Sequence, residues 1–197
     1  TFPVHCYHYI KSGDTTALDT ATVLKQCFSE SFGDDFVVLD IGTYVSSLYK
    51  EVRNVQLHSI LQNGWGADFG DPVNFLGQET YGDDNAYYSK AYSKINNATD
   101  EKLKATYKEF TDMVNTAKAI TDDLDARYAA FAKAEAFWIQ HALTIPWSYE
   151  VTWKVTSINE YSKIYTAYGN QSERYVNWET NSDLYTTEDY EAFKAGK

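Results

Sequence analysis

Three glycines, two aromatic rings and two carboxylates fall within the stretch Gly64-Trp65-Gly66-Ala67-Asp68-Phe69-Gly70-Asp71-Pro72. Paired carboxylates are what glycoside hydrolysis needs. Asp71, however, stands directly before Pro72, and Asp-Pro reads as a helix start. The aspartate caps the first turn, and proline at the first helical position gives up no hydrogen bond. That leaves Asp68. A carboxylate with no base beside it is poorly placed for nucleophilic work. It suits capture of a cation through a charge-assisted hydrogen bond, shielded by the rings of Trp65 and Phe69. Free main-chain groups of a glycine-rich loop can pair with an extended backbone. Together these describe a site for the amino terminus of a peptide. The competing reading makes Asp68 a loop carboxylate that only bonds neighbouring N–H groups.

Other chemistry has weaker support. The sequence has no Gly-x-Ser-x-Gly, no glycine-rich phosphate loop and no His-Glu-x-x-His, so no catalytic residue is assigned. His5 and His8 are three apart on an expected strand and point to opposite faces, which speaks against a shared metal. No cofactor or metal is expected. Cys6 and Cys27 read as small buried hydrophobes, able to form a disulfide only if helix and strand bring them together. The triplets Asn97-Ala98-Thr99 and Asn170-Gln171-Ser172 match the glycosylation pattern, which arises often by chance.

The elements that must position the loop are read from periodicity. Val4 to Ile10 is a β-rich strand, and Lys11 to Thr16 a polar loop. Leu18 to Phe32 is a helix with Val23, Leu24, Cys27 and Phe28 on its apolar side, ended by Gly33. Phe36 to Ile41 is a near-continuous apolar run, expected to be a strand covered on both faces. Val45 to Val52 makes a short helix, and the alternation from Val55 to Leu61 a third strand. Strand, helix, strand, helix, strand with short connections builds a parallel sheet. Ligands collect beyond the carboxyl ends of such strands, where the Gly64–Asp71 loop sits.

Downstream, a helix starts at Asp71 and runs to about Leu76. Gly77 to Asp100 is polar and loop-like. Glu101 to Ala119 is a helix with Leu103, Tyr107, Phe110, Val114 and Ala117 in its stripe. Asp122 or Asp123 caps the next, Leu124 to Ala142, with Tyr128, Phe131, Glu135, Trp138 and Ala142 in line. Strict alternation from Thr144 to Val155 predicts a long strand whose apolar side holds Ile145, Trp147, Tyr149, Val151, Trp153 and Val155. A short helix is expected near Thr187 to Lys194.

The bulk numbers bound the partners. The 197-residue chain carries a formal charge of -11, which argues against nucleic acid and against a polybasic membrane contact. Aromatics make up 16% of residues, including 17 tyrosines, and supply either core and surface or the wall of a binding site. No apolar run is long enough to span a bilayer. The chain starts at Thr1-Phe2-Pro3 without methionine and reads as a piece of a longer protein.

The stretch Gly64 to Leu76 resembles the strand-loop-helix signature of bacterial oligopeptide- and dipeptide-binding proteins of ABC importers, the extracellular solute-binding proteins of family 5. The usual form is close to Trp-x-Ala-Asp-Tyr-x-Asp-Pro-x-x-Phe-Leu. Here Phe69 stands for Tyr and Gly70 for a common Pro. Arg127 to Glu135, followed by Ala142-Leu143-Thr144-Ile145-Pro146, resembles the family's helix that runs into an x-x-Ile-Pro strand. Tyr168-Gly169 and the tail from Trp178 to Tyr190 resemble its carboxyl terminus more weakly. The resemblance implies a periplasmic-binding-protein-like α/β lobe: a central, mostly parallel sheet with helices on both faces plus the long strand near 144–155. Residues 1–158 would be the carboxyl-terminal ligand-binding lobe, and 159–197 a tail returning to the other lobe. It implies capture of an oligopeptide or dipeptide between two lobes, delivery to an ABC permease, no catalysis, and an extracytoplasmic, lipid-anchored location. Asp68 would pair with the peptide's α-amino group, Trp65, Gly66 and Ala67 would line its backbone path, and Phe69 would pack behind the anchor. The alternative is a carbohydrate-binding or glycoside-active domain that uses the aromatics as a platform.

Overall fold

The computed structural model describes residues 1–83, 86–149, 157–158, 178–180, 183 and 186–195. The chain forms two compact units, Thr1–Gly64 with Ala86–Thr99, and Trp65–Asn85 with Asp100–Lys197.

The first unit is built on β1 (Val4–Lys11), α1 (Thr15–Phe32) and β2 (Val37–Tyr44). β1 and β2 pair in parallel, from Val4 opposite Val37 to Lys11 opposite Tyr44. Parallel strands need a crossover, and α1 supplies it. Asp14 starts α1 by accepting the Ala17 N–H at 2.9 Å. Gly33 ends it at φ 77°, its N–H returned to the Ser29 carbonyl, as a helix-ending glycine does. Alternation along β1 exposes His5 and buries His8 and Ile10. His5 Nδ1 lies 2.6 Å from Asp40 Oδ2 on β2.

Several expectations for this unit change. Among the described residues the sheet has two strands and one further bridge, between His8 and Ile60. The expected third strand, Val55 to Leu61, does not form. Gln56 takes φ 58°, a left-handed conformation that breaks an extended run. Its side chain bonds the Arg53 and Tyr92 carbonyls. Only Ser59 and Ile60 then reach β1, both N–H groups donating to the Tyr7 carbonyl. The segment before it is a single π-helical turn, Tyr49–Arg53. Glu51 stabilises its approach by accepting the N–H groups of Val45, Ser46 and Ser47. Those bonds, Val45 first, push its carboxyl down to about 2. β2 is not covered on both faces: Leu39 alone is fully buried.

α1 meets the sheet through Ala17, Ala21, Leu24 and Phe28, while Val23 and Cys27 face solvent. Ala17 and Ala21 allow close approach, with Leu24 and Phe28 beside them, so the packed face is turned away from the expected Val23 and Cys27. Cys27 is therefore exposed, Cys6 half-buried, and both thiols are free. In the second part of this unit, Ala86–Thr99, the run expected to be loop-like proves more ordered. Short turns at Ser89–Ser93 and Ile95–Asn97 bury Ser89, Tyr92 and Ile95.

The second unit is helical. It contains α2 (Val73–Leu76), α3 (Glu101–Ala119), α4 (Leu124–Gln140) and α5 (Thr187–Ala195). Asp100 and Asp123 cap α3 and α4, accepting from Leu103 and Ala126 at 2.9 Å each. Leu76, Phe110, Val114, Ala117, Phe131 and Ala134 form its core. Of the expected α3 stripe only Leu103 is exposed; of the expected α4 stripe Tyr128, Glu135 and Ala142 are exposed, and α4 ends at Gln140, before Ala142. Helices α3 and α4 thus share a core of their own. Within the first unit, α1 packs on the described part of the sheet. Thr144 to Tyr149 form no strand, and Tyr149 is 87% exposed. A strand needs a ladder partner, and none of the described residues offers one there. Residues 150–155 of the expected strand, the Asn170 triplet, and most of the expected tail lie outside the described residues.

One side chain ties three parts of this unit together. Arg127 on α4 donates Nε–H to Asp71 Oδ2 at 2.9 Å, and its Nη2 is 2.9 Å from the same oxygen. Its Nη1 donates to the carbonyls of Ala117, Lys118 and Ile120 at 3.3, 2.9 and 2.8 Å. The last carbonyls of a helix have no partner within it, and a cation there also meets the negative end of the dipole. The guanidinium lies 5.0 Å from the Phe131 ring centre. Arg127→Gln is expected to lower stability by about 2–3 kcal/mol, since charged hydrogen bonds in a partly buried setting are lost. Burial alone would raise the Asp71 carboxyl, but the bonds from Arg127 and the Val73 N–H outweigh it and hold it below the usual range. Its stabilisation is therefore complete above the ordinary aspartate value of about 3.9 and is lost as pH falls below it. Urea unfolding of wild type and Arg127→Gln across that window checks both points: the gap between them narrows in acid.

Candidate functional site

The glycine-rich loop enters the second unit at Trp65 and leaves into α2. The sequence places the cap at Asp71 and Pro72 at the first helical position; in the structure Pro72 takes the cap position of α2, and Asp71 stands one residue before it, its Oδ1 accepting the Val73 N–H at 2.9 Å and its carbonyl the Asn74 N–H at 2.9 Å. With its other oxygen on Arg127, Asp71 is fully engaged in structure. Asp68 is the opposite case. It is exposed, and among the described residues it makes no hydrogen bond or ion pair. The two carboxylates are therefore separated by role.

Trp65 is half-buried, and its indole N–H donates to Asn74 Oδ1 at 2.8 Å. Ala67 is half-buried and Gly66 exposed. Phe69 stays 52% exposed. Its carbonyl accepts the Asp71 N–H at 3.0 Å, which folds the loop's end tightly. Neither Gly64 nor Gly66 has a positive φ, and a Cβ at either would meet nothing within 4 Å. What these glycines leave is open space along the backbone, not a conformation that only glycine can take. Such a path admits close approach of another chain.

No protein-family model matches the chain. Among curated proteins, it is 28% identical over 155 residues to the oligopeptide-binding protein SarA of Streptococcus gordonii, a match to 74% of this chain and 23% of that protein. It is 28% identical over 157 residues to the oligopeptide-binding protein AliA of Streptococcus pneumoniae, with the same coverage of each. To AmiA of that species, also an oligopeptide-binding protein, it is 23% identical over 153 residues, again 74% and 23%. This chain resembles oligopeptide-binding proteins. The family resemblance read from the Trp65–Asp68 motif is therefore borne out. The relatives are named for binding and not for catalysis, in line with the reading that no reaction is carried out. Their names give no support to the carbohydrate alternative. The match spans 23% of the length of these oligopeptide-binding relatives.

Beyond the motif the sequence did not single out Glu79, the last residue of the turn Gly77–Glu79. It is only 6% exposed. Its one described partner is the Thr144 hydroxyl, which donates to Oε1 at 2.8 Å. Burial outweighs that bond and pushes the carboxyl up to about 7. No local pattern marks such an acid, because it stands in a polar run and is buried only by tertiary packing. Among the described residues no group of three or more potential metal ligands occurs, and no helix is long and apolar enough to cross a membrane.

A raised folded-state value means that the protonated form stabilises the protein. That contribution is complete below the unfolded glutamate value of about 4.3 and is lost as pH rises through about 7. Glu79→Gln keeps an acceptor for Thr144 and cannot ionise. Relative to the variant, the wild type is expected to lose roughly 2–3 kcal/mol of stability between pH 5 and pH 8. Urea unfolding at the two pH values measures the difference.

Proposed function

We propose that this chain is part of the substrate-binding component of an ABC importer, which captures peptides between two lobes and delivers them to a membrane permease. The observation that carries the reading is Asp68: a solvent-facing carboxylate with no described partner, on an open glycine-rich loop, in a chain similar to oligopeptide-binding proteins. A side chain left so exposed contributes little to folding and is available to a ligand. Asp68 holds the α-amino group of an oligopeptide or dipeptide by a charge-assisted hydrogen bond. The main-chain path at Gly66 and Ala67 runs beside the peptide backbone, and Trp65 and Phe69 provide its apolar borders.

In this reading residues 1–158 form the carboxyl-terminal lobe and 159–197 return to the other lobe of the complete protein. The complete protein works outside the cytoplasm, held to the membrane by a lipid. The ligand is enclosed and released without covalent chemistry, so the chain is not an enzyme and needs no cofactor. The net charge of -11 argues against a nucleic-acid partner on electrostatic grounds.

Calorimetry on the complete binding protein tests the anchor. Asp68→Asn is expected to weaken free-amino peptides by about 10–100-fold, the worth of one charged hydrogen bond. N-acetylation of the peptide is expected to cost wild type a similar factor and the variant almost nothing. Equal affinity of wild type for free and acetylated peptides would remove the anchor role.

A further inference from the structure

Trp65 is held by a residue outside the motif that drew attention to it. Its indole nitrogen can only donate, and the acceptor 2.8 Å away is Asn74 Oδ1. Asn74 is 3% exposed, unusual for an amide unless it is bonded. Its own position is fixed at both main-chain groups. The N–H donates to the Asp71 carbonyl at 2.9 Å, and the carbonyl accepts Gln78 Nε2 at 3.2 Å. It stands on α2 between Val73, whose N–H is capped by Asp71, and the core residue Leu76. Asp71 is in turn held by Arg127. The acceptor is thus anchored to the rigid part of the helical unit, while Gly66 and Asp68 face solvent.

We propose that Asn74 is a positioning residue for the ligand loop: by holding the Trp65 indole it sets the path of residues 65–69 and so the presentation of Asp68. This rests on the ammonium-anchor reading above. A loop with glycines at 64, 66 and 70 has many conformations to lose on binding, and fixing it beforehand removes part of that cost.

The test reads the indole and the ligand separately. In a 15N-labelled protein, Trp65→Phe identifies the Trp65 indole resonance by its loss. Asn74→Leu is expected to shift that resonance and speed its hydrogen exchange by about tenfold or more, leaving the other indoles unchanged. Asn74→Asp retains an acceptor and restores slow exchange. Should Asn74→Leu not fold, Asn74→Ser is too short to reach the indole and takes its place. By calorimetry with free-amino pentaalanine as probe, Asn74→Leu is expected to weaken binding by about tenfold. The double variant with Trp65→Phe should bind no more weakly than Trp65→Phe alone. Unchanged Trp65 exchange in Asn74→Leu, or losses that simply add in the double variant, would overturn the proposal. If pentaalanine binds no better than its acetylated form, the ammonium-anchor reading fails, and the indole resonance still decides whether Asn74 holds the loop.

Discussion

The Arg127 guanidinium is the constraint on which the helical unit depends. It closes the open carbonyl end of α3, pairs with the carboxylate just before α2, and lies over Phe131 in the core. Remove it and both sets of polar groups lose a charged partner at once. An arginine suits the position because its planar fork serves several acceptors without changing charge. The glycine-rich loop is tied to this arrangement at its end, since Asp71 is the loop's last acid and bonds both Arg127 and the Val73 N–H that opens α2.

That dependence explains how two carboxylates three residues apart come to differ. Asp71 is drawn into the fold by a backbone N–H and a guanidinium, which hold its proton off. Asp68 faces solvent. The separation is electrostatic and geometric. Glu79 shows the reverse balance: burial with a single hydroxyl partner favours the neutral acid. One helical unit therefore holds acids in three different environments.

The first unit illustrates how local preference yields to context. Asp14 and Gly33 bracket α1 where their chemistry demands, and the β1–β2 pair is parallel as the strand-helix-strand order requires. The side that α1 presents was harder to read. Ala17 and Ala21 pack toward the sheet while Val23 and Cys27 turn outward, because approach distance outranks hydrophobicity at that contact. The third strand is lost to a left-handed Gln56, a conformation that alternation of apolar residues cannot reveal.

The sequence by itself determined the start of α3 at Glu101, the capped start of α4 at Leu124, most of the α3 core stripe, the parallel pairing, and the motif from Trp65 to Pro72. These rest on interactions between residues near in sequence, or on periodicities that a single element imposes. Only the tertiary structure decided which carboxylate is engaged, that Asn74 holds Trp65, that Glu79 is buried against Thr144, and that Arg127 joins α2, α3 and α4. Each of these depends on residues brought together across a gap in the chain. Burial and hydrogen-bond partners across such gaps are set by packing, and packing leaves no period in the sequence.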